Sequence, residues 1–174
     1  MAIDPIPTIV TERLTLTPLT VADAEGMLDV YRDQRMYEYT GGAPPTPTQL
    51  RERYKVLAKG FNHDRTEQWC NWIVRLDGDP GPIGAMQATI ARDLTSAEVA
   101  WEIGVGHQGR GLASEAARAL VDWLVASGVA RITATIHPDH SASAGVAGRA
   151  GLIATNEVHD GEIVWQLVPP TALV

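Results

Sequence analysis

Cysteine occurs once in the 174 residues, at Cys70, so neither an internal disulfide nor a metal site built on several thiolates can form. Basic residues never run longer than a pair, and 14 Lys and Arg against 21 Asp and Glu leave a formal charge of −7. A nucleic-acid-binding face needs clustered cations, so that partner is not expected; a cationic or amine-bearing one is modestly favoured. Long apolar runs are missing, as is any basic segment followed by an apolar one, so neither a membrane span nor a signal peptide is expected. His63, His107, His137 and His159 are scattered without ligand spacing, which argues against a metal. No internal repeat, low-complexity segment or linker interrupts the chain. These absences leave residues 1–174 as one expected domain of a cytoplasmic protein, long enough for a sizeable core and short for two.

What the chain does have is concentrated in residues 99–125, VAWEIGVGHQGRGLASEAARALVDWLV. A short apolar segment leads into Gly106, Gly109 and Gly111. A helix pattern follows, with Leu112, Ala116, Leu120 and Leu124 in one row and Ala113, Ala117, Val121 and Val125 in the next; Gly128 is placed to stop it. Glycines let the backbone approach a ligand closely, and the first N–H groups of a helix are unpaired at its positive end. Strand, glycine turn and helix together make an anion cradle, most often for phosphate. Gly104, Gly106 and Gly109 also fit the dinucleotide pattern G-x-G-x-x-G. That pattern requires an acidic residue about 20 positions on, at the end of the next strand. Here Asp122 falls inside the helix instead, and context counts against the dinucleotide reading, which tight binding of NAD(P) would reveal.

Around this stretch the pattern predicts strands over residues 11–18, 68–76, 83–91, 98–105, 131–136, 152–158 and 163–168, and helices over 23–32, 48–61 and 141–149. Residues 41–47, GGAPPTP, cannot be regular structure and read as a surface loop. Cys70 lies in a strand-like run and reads as a buried small hydrophobe. Trp69 and Trp72 fall on opposite faces of that strand, both expected in packing, with one available to line a cavity.

Gln108-Gly109-Arg110-Gly111-Leu112-Ala113 resembles the Q/R-x-x-G-x-G/A signature of the GNAT superfamily of acyl-CoA-dependent N-acyltransferases. Ala97-Glu98-Val99-Ala100-Trp101, Gly109 to Ala116 (GRGLASEA) and Thr11-Glu12-Arg13-Leu14 are similar to words of its RimJ/RimL-type branch. So is His137-Pro138-Asp139-His140-Ser141-Ala142-Ser143, which stands for x-P-x-N-x-A-S. The resemblance implies an α+β fold: a central, mostly antiparallel mixed sheet flanked by helices, in the order βααβββαβαββ. It implies acetyl-CoA as cosubstrate and no metal. The amides of Gln108, Gly109, Arg110, Gly111, Leu112, Ala113 and Ser114 would hold the pyrophosphate, and the backbone of Ile103, Gly104 and Val105 would pair with pantetheine. It also places the first two helices and their loop beside the acceptor, and leaves room for a homodimer. His140 stands where the family commonly has an Asn that contacts pantetheine, and Ser143 stands near the coenzyme sulfur.

Acyl transfer to an amine needs a neutral nucleophile, a donor for the oxyanion and a proton for the departing thiolate. An alkylammonium with pKa near 10.4 costs about 4 to 5 kcal/mol to deprotonate at neutral pH, and a carboxylate is the usual remedy. Strand alternation puts Glu98, Ala100, Glu102 and Gly104 on one face. The resemblance implies that Glu102 lies beside the pantetheine-pairing residues, which makes it the first candidate base, and that Glu98 stands where the family often has a carboxylate of structural role, which makes it the second. Against this stands a solvated or salt-bridged strand glutamate. Ser143 is either the proton donor to the thiolate or a helix-start serine bonded to its own backbone. The expected function is acetyl transfer from acetyl-CoA to a primary amine, on a small basic molecule or a protein N-terminus, by direct attack in a ternary complex. The alternative is a non-catalytic acyl-CoA sensor of the same fold.

Overall fold

The computed structural model describes residue 3 and residues 5–168. β1 (Ile9–Val10) and β2 (Leu14–Pro18) open the chain, and the buried Leu14 and Leu16 alternate with half-buried threonines. Two helices follow, α1 (Asp23–Tyr31) and α2 (Pro47–Leu57), with a 3-10 turn at Gln34–Tyr37 between them. α2 starts at Pro47 because Thr46 and Gln49 cap each other: Gln49 N donates to Thr46 Oγ1 (3.2 Å) and Thr46 N to Gln49 Oε1 (2.9 Å). It stops at Leu57, short of the expected residue 61, where Gly60 turns the chain at φ +75°.

The long strands β3 (Glu67–Leu76), β4 (Pro82–Ala91) and β5 (Ala97–Ile103) form an antiparallel meander. Then come α3 (Leu112–Ala126), β6 (Ile132–Ile136), α4 (Ser141–Arg149), β7 (Ile153–His159) and β8 (Glu162–Leu167). The eight strands make one sheet in the order β1-β2-β3-β4-β5-β6-β8-β7, and the only parallel pairing among the described residues, β5 with β6, covers just Ala97↔Ile132 and Glu98↔Thr133. The expected order holds, with one addition: the two-residue β1, which pairs Ile9↔Leu16 and Val10↔Thr15.

The sheet separates two cores. On one face α3 buries Leu112, Ala116, Ala117, Leu120, Val121 and Leu124 against Trp72, Val74, Ile83, Met86, Val99 and neighbours, each leucine contributing about 1.5 to 3 kcal/mol of apolar burial. On the other, α1 and α2 set Met27, Val30, Tyr31, Leu50 and Tyr54 over Ile73. The sheet register lines up Ile73, Ala85 and Glu102 in one row under these helices, and Asn71, Gln87 and Ala100 in the next.

Candidate active site

The turn leading into α3 takes the conformation its glycines permit. Gly109 and Gly111 lie at φ +74° and +77°, where a Cβ costs about 1 to 2 kcal/mol. Gly111 caps α3 with no side-chain bond, and the helix ladder begins with Glu115 N donating to Gly111 O (3.1 Å). The N–H groups of Leu112, Ala113 and Ser114 are therefore unpaired at the positive end of the helix. Together with the positive-φ turn they fit an anionic pyrophosphate. Gln108 departs from its expected role in this cradle: its amide already donates to Val105 O (3.3 Å) and its side-chain Nε2 to Ile103 O (2.8 Å). The Arg110 side chain is exposed, while its carbonyl accepts from Arg13 Nη1 (3.1 Å).

That last bond belongs to a clamp that was visible in the sequence only as two unrelated words. Glu115, in the first turn of α3, accepts from Thr11 Oγ1 (2.6 Å), Arg13 N (2.9 Å) and Arg13 Nε (2.7 Å), and pairs with Arg13 Nη2 (2.7 Å). Burial pushes the Glu115 carboxyl up, but these bonds outweigh it and hold the group below its ordinary value. The T-E-R-L and S-E-A words thus meet in space and tie the start of β2 to the start of α3.

β5 supplies the next part. Gly104 N donates to Ile83 O (2.8 Å), so pleat alternation turns the backbone of Ala100 and Glu102 toward β4 and that of Trp101 and Ile103 toward β6. Pairing with β6 ends at Glu98, which leaves this edge open. Of the residues expected to pair with pantetheine, Ile103 turns its N–H to the open edge, Gly104 is committed to β4, and Val105 has left the strand for a 3-10 turn at Val105–His107; Trp101 adds its backbone groups to the open edge. Gly84 explains why β5 leans away: a Cβ there would lie 2.1 Å from Glu102 O, so its absence lets the end of β5 press onto β4.

Glu102 projects from β5 toward α1 and α2, where Tyr31 Oη donates to its Oε2 at 2.5 Å. Burial, then the Glu102 charge, raises the Tyr31 phenol well above its usual value, so Tyr31 stays the donor. Glu102 and Tyr31 line a cavity of about 40 Å³ with Arg53, Tyr54, Asn71, Gln87 and apolar neighbours. Glu98, the second candidate base, sits apart at the paired end of β5, exposed, accepting from Thr135 Oγ1 (3.3 Å).

Ser143, in the first turn of α4, does not cap its own helix. Its Oγ accepts from Trp101 Nε1 (3.0 Å), which leaves the hydroxyl proton for another acceptor. His140 is the residue preceding α4 and makes no capping bond. Its ring stacks on Tyr39 (4.2 Å between centroids, 16° between planes), which also touches His137 (5.5 Å). Burial lowers the His140 pKa, keeping it neutral at neutral pH. Cys70 is fully buried, its thiol pushed up to about 12, and Trp72 packs edge-on against Trp123 (5.2 Å). Among the described residues no cluster of three or more His, Cys, Asp or Glu could hold a metal, and no helix is long and apolar enough to cross a membrane.

Sequence reasoning picked out Glu102, Ser143, His140 and the turn, but missed Tyr31, Tyr54, Asn71 and Arg53. The register of β3 and β5 on the intervening β4 and the helical rows of α1 and α2 were the available signals for these.

Comparison with known proteins agrees with this geometry. An N-acetyltransferase p20 of Bacillus licheniformis, itself of uncharacterized activity, is 27% identical over 138 residues, covering 78% of this chain and 76% of that protein. An acetyltransferase from Agrobacterium tumefaciens superposes with a TM-score of 0.72 at 26% identity, covering 97% of this chain and 98% of that one. RimL, a ribosomal-protein α-N-acetyltransferase solved with coenzyme A, has the same fold at a TM-score of 0.77 and 15% identity, covering 94% and 97%. The family model for the acetyltransferase (GNAT) domain matches residues 13–153, from the Arg13 clamp to the first residue of β7, and the chain therefore belongs to the GNAT acetyltransferase family.

Proposed function

We propose that the protein moves the acetyl group of acetyl-CoA to a primary amine by direct attack within a ternary complex. One observation carries this reading: the uncapped start of α3, the open edge of β5 and the Glu102–Tyr31 pair all lie within or against residues 101–115. In this reading the N–H groups at Leu112, Ala113 and Ser114 bind pyrophosphate, and the open Trp101 and Ile103 groups align pantetheine and polarise the carbonyl. Glu102, oriented by Tyr31, takes the amine proton as the C–N bond forms. As the C–S bond breaks, Ser143 supplies a proton to the thiolate; the Trp101 bond to its oxygen, which leaves its hydroxyl proton for another acceptor, supports this role. The sequence words favour the RimJ/RimL branch, whose acceptors range from small amines to protein N-termini.

A second reading, a sensor that binds acyl-CoA without turnover, is supported by His140, whose ring face is covered by Tyr39 where the family commonly has an Asn that contacts pantetheine. Release of free thiol from acetyl-CoA with a panel of primary amines separates the two, and the buried Cys70 adds no background. Thiol release that depends on both an amine and Glu102 supports the transferase. Binding of acetyl-CoA by calorimetry, with no thiol released by any amine, supports the sensor.

A further inference from the structure

With Tyr31 committed to Glu102, three polar groups in the same cavity are left without a partner. Asn71, in β3 and 6% exposed, has an unpaired Nδ2. Tyr54, in α2 and 1% exposed, has a hydroxyl that stands beside that of Tyr31 but forms no bond of proper geometry. Arg53, next to Tyr54, is exposed at the rim of the cavity and makes no ion pair among the described residues. Its charge nevertheless reaches the hydroxyls of Tyr31, Tyr37 and Tyr54, opposing the rise that burial causes in each.

Folded chains keep few buried donors unpaired, because each forfeits its bonds to water. Two such groups beside an unpaired guanidinium describe a missing guest: one rich in acceptor oxygens and negatively charged. The arginine fork and the two N–H donors of an amide match a planar carboxylate. Glu102 offers the opposite charge in the same cavity, so the lining as a whole is neutral but divided. A polycation finds one carboxylate and is repelled by Arg53, and a cavity of about 40 Å³ suits a small group.

We propose that the acceptor is a small zwitterionic amino acid, its ammonium bound at Glu102 and its carboxylate at Arg53 and Asn71. This rests on the transferase reading above. The ammonium gives one proton to Glu102 and the neutral amine attacks the thioester carbonyl; the C–N bond forms, the nitrogen releases its second proton, the C–S bond breaks and the thiolate takes up a proton. The products are the N-acetyl amino acid and free coenzyme A. Acetylation removes the charge that Glu102 held, which loosens the product.

The test compares thiol release for neutral amino acids, their methyl esters, the corresponding decarboxylated amines, short peptides and an aminoglycoside, using the wild type, Arg53→Gln and Asn71→Leu. Arg53 lies on the surface of α2, so its loss leaves the core intact. The expected result is a preference for free amino acids. In both variants KM for those substrates should rise roughly 10- to 100-fold, with KM for the decarboxylated amines unchanged. Preference for amines without a carboxylate, for peptides or for the aminoglycoside overturns the zwitterion assignment and leaves the transferase reading standing, as does an Arg53→Gln enzyme with unchanged KM. Acetyl-CoA binding with no thiol release from any amine overturns both.

Discussion

Glu102 is held at its carboxylate by a phenol that burial keeps protonated, so the base is aimed before any amine arrives. Glu102→Gln preserves the shape of the site and removes the proton acceptor. We expect kcat to fall about 10²- to 10⁴-fold, with the acetyl-CoA dissociation constant from calorimetry unchanged; an undiminished kcat would assign the proton to another group. Tyr54 tests the cavity differently. Its hydroxyl is buried without a partner and its phenol is pushed up to about 12, so Tyr54→Phe should leave the free protein as stable or make it more so, by roughly 1 kcal/mol. A melting temperature several degrees below wild type would show that the hydroxyl is satisfied after all. At this scale the sequence was partly readable. Strand alternation put Glu98 and Glu102 on one face, and the resemblance, which sets Glu102 beside the pantetheine-pairing residues, ranked it first. Tyr31 lies 71 residues earlier on a helix, and no spacing rule connects the two.

Between elements, the clamp of Thr11 and Arg13 on Glu115 fixes where α3 begins, and with it the direction of its unpaired N–H groups. The Glu115 carboxyl is held below its ordinary value of 4.5. Its contribution is therefore complete above that pH and is lost as pH falls through the lowered folded value. Glu115→Gln should cost about 1 to 3 kcal/mol at neutral pH and weaken acetyl-CoA binding, and denaturant midpoints of mutant and wild type should converge below pH 4.5. A constant gap across that range would mean that the charge is not what stabilises the clamp. Gly84 governs the neighbouring junction. Gly84→Ala sets a methyl against Glu102 O, so it should displace the end of β5 and reduce activity more than global stability, measured by kcat/KM alongside urea unfolding. The words around Thr11 and Glu115 were noticed in the sequence as family-like, yet their meeting depends on how β2 lies against α3, which neither word encodes.

For the molecule as a whole, the element order and the helix α3 were legible because α3 repeats its apolar rows over four turns and the meander alternates cleanly. β1 was not, since two residues become a strand only by pairing with β2, and the end of β5 was set by Gly84 on a different strand. The two cores are unequal: α1 and α2 rest on a small cluster, while α3 and α4 share the large one. Amide hydrogen exchange should therefore be faster in α1 and α2 than in α3 and β3–β5, and an acceptor binding at Glu102 should slow it there; uniform protection would contradict this division. The two-rung contact between β5 and β6 has one more implication. Beyond Glu98 no rung joins β5 to β6 among the described residues, so the first five strands and the last three are held together by those two rungs and by the large core that α3 and α4 share. A cosubstrate arm lying in that cleft would be a replaceable structural member. Thermal tolerance should then climb with acetyl-CoA concentration, by about 2.7 kcal/mol at a hundredfold excess over its dissociation constant, and the gain in amide protection should fall on the facing edges of β5 and β6.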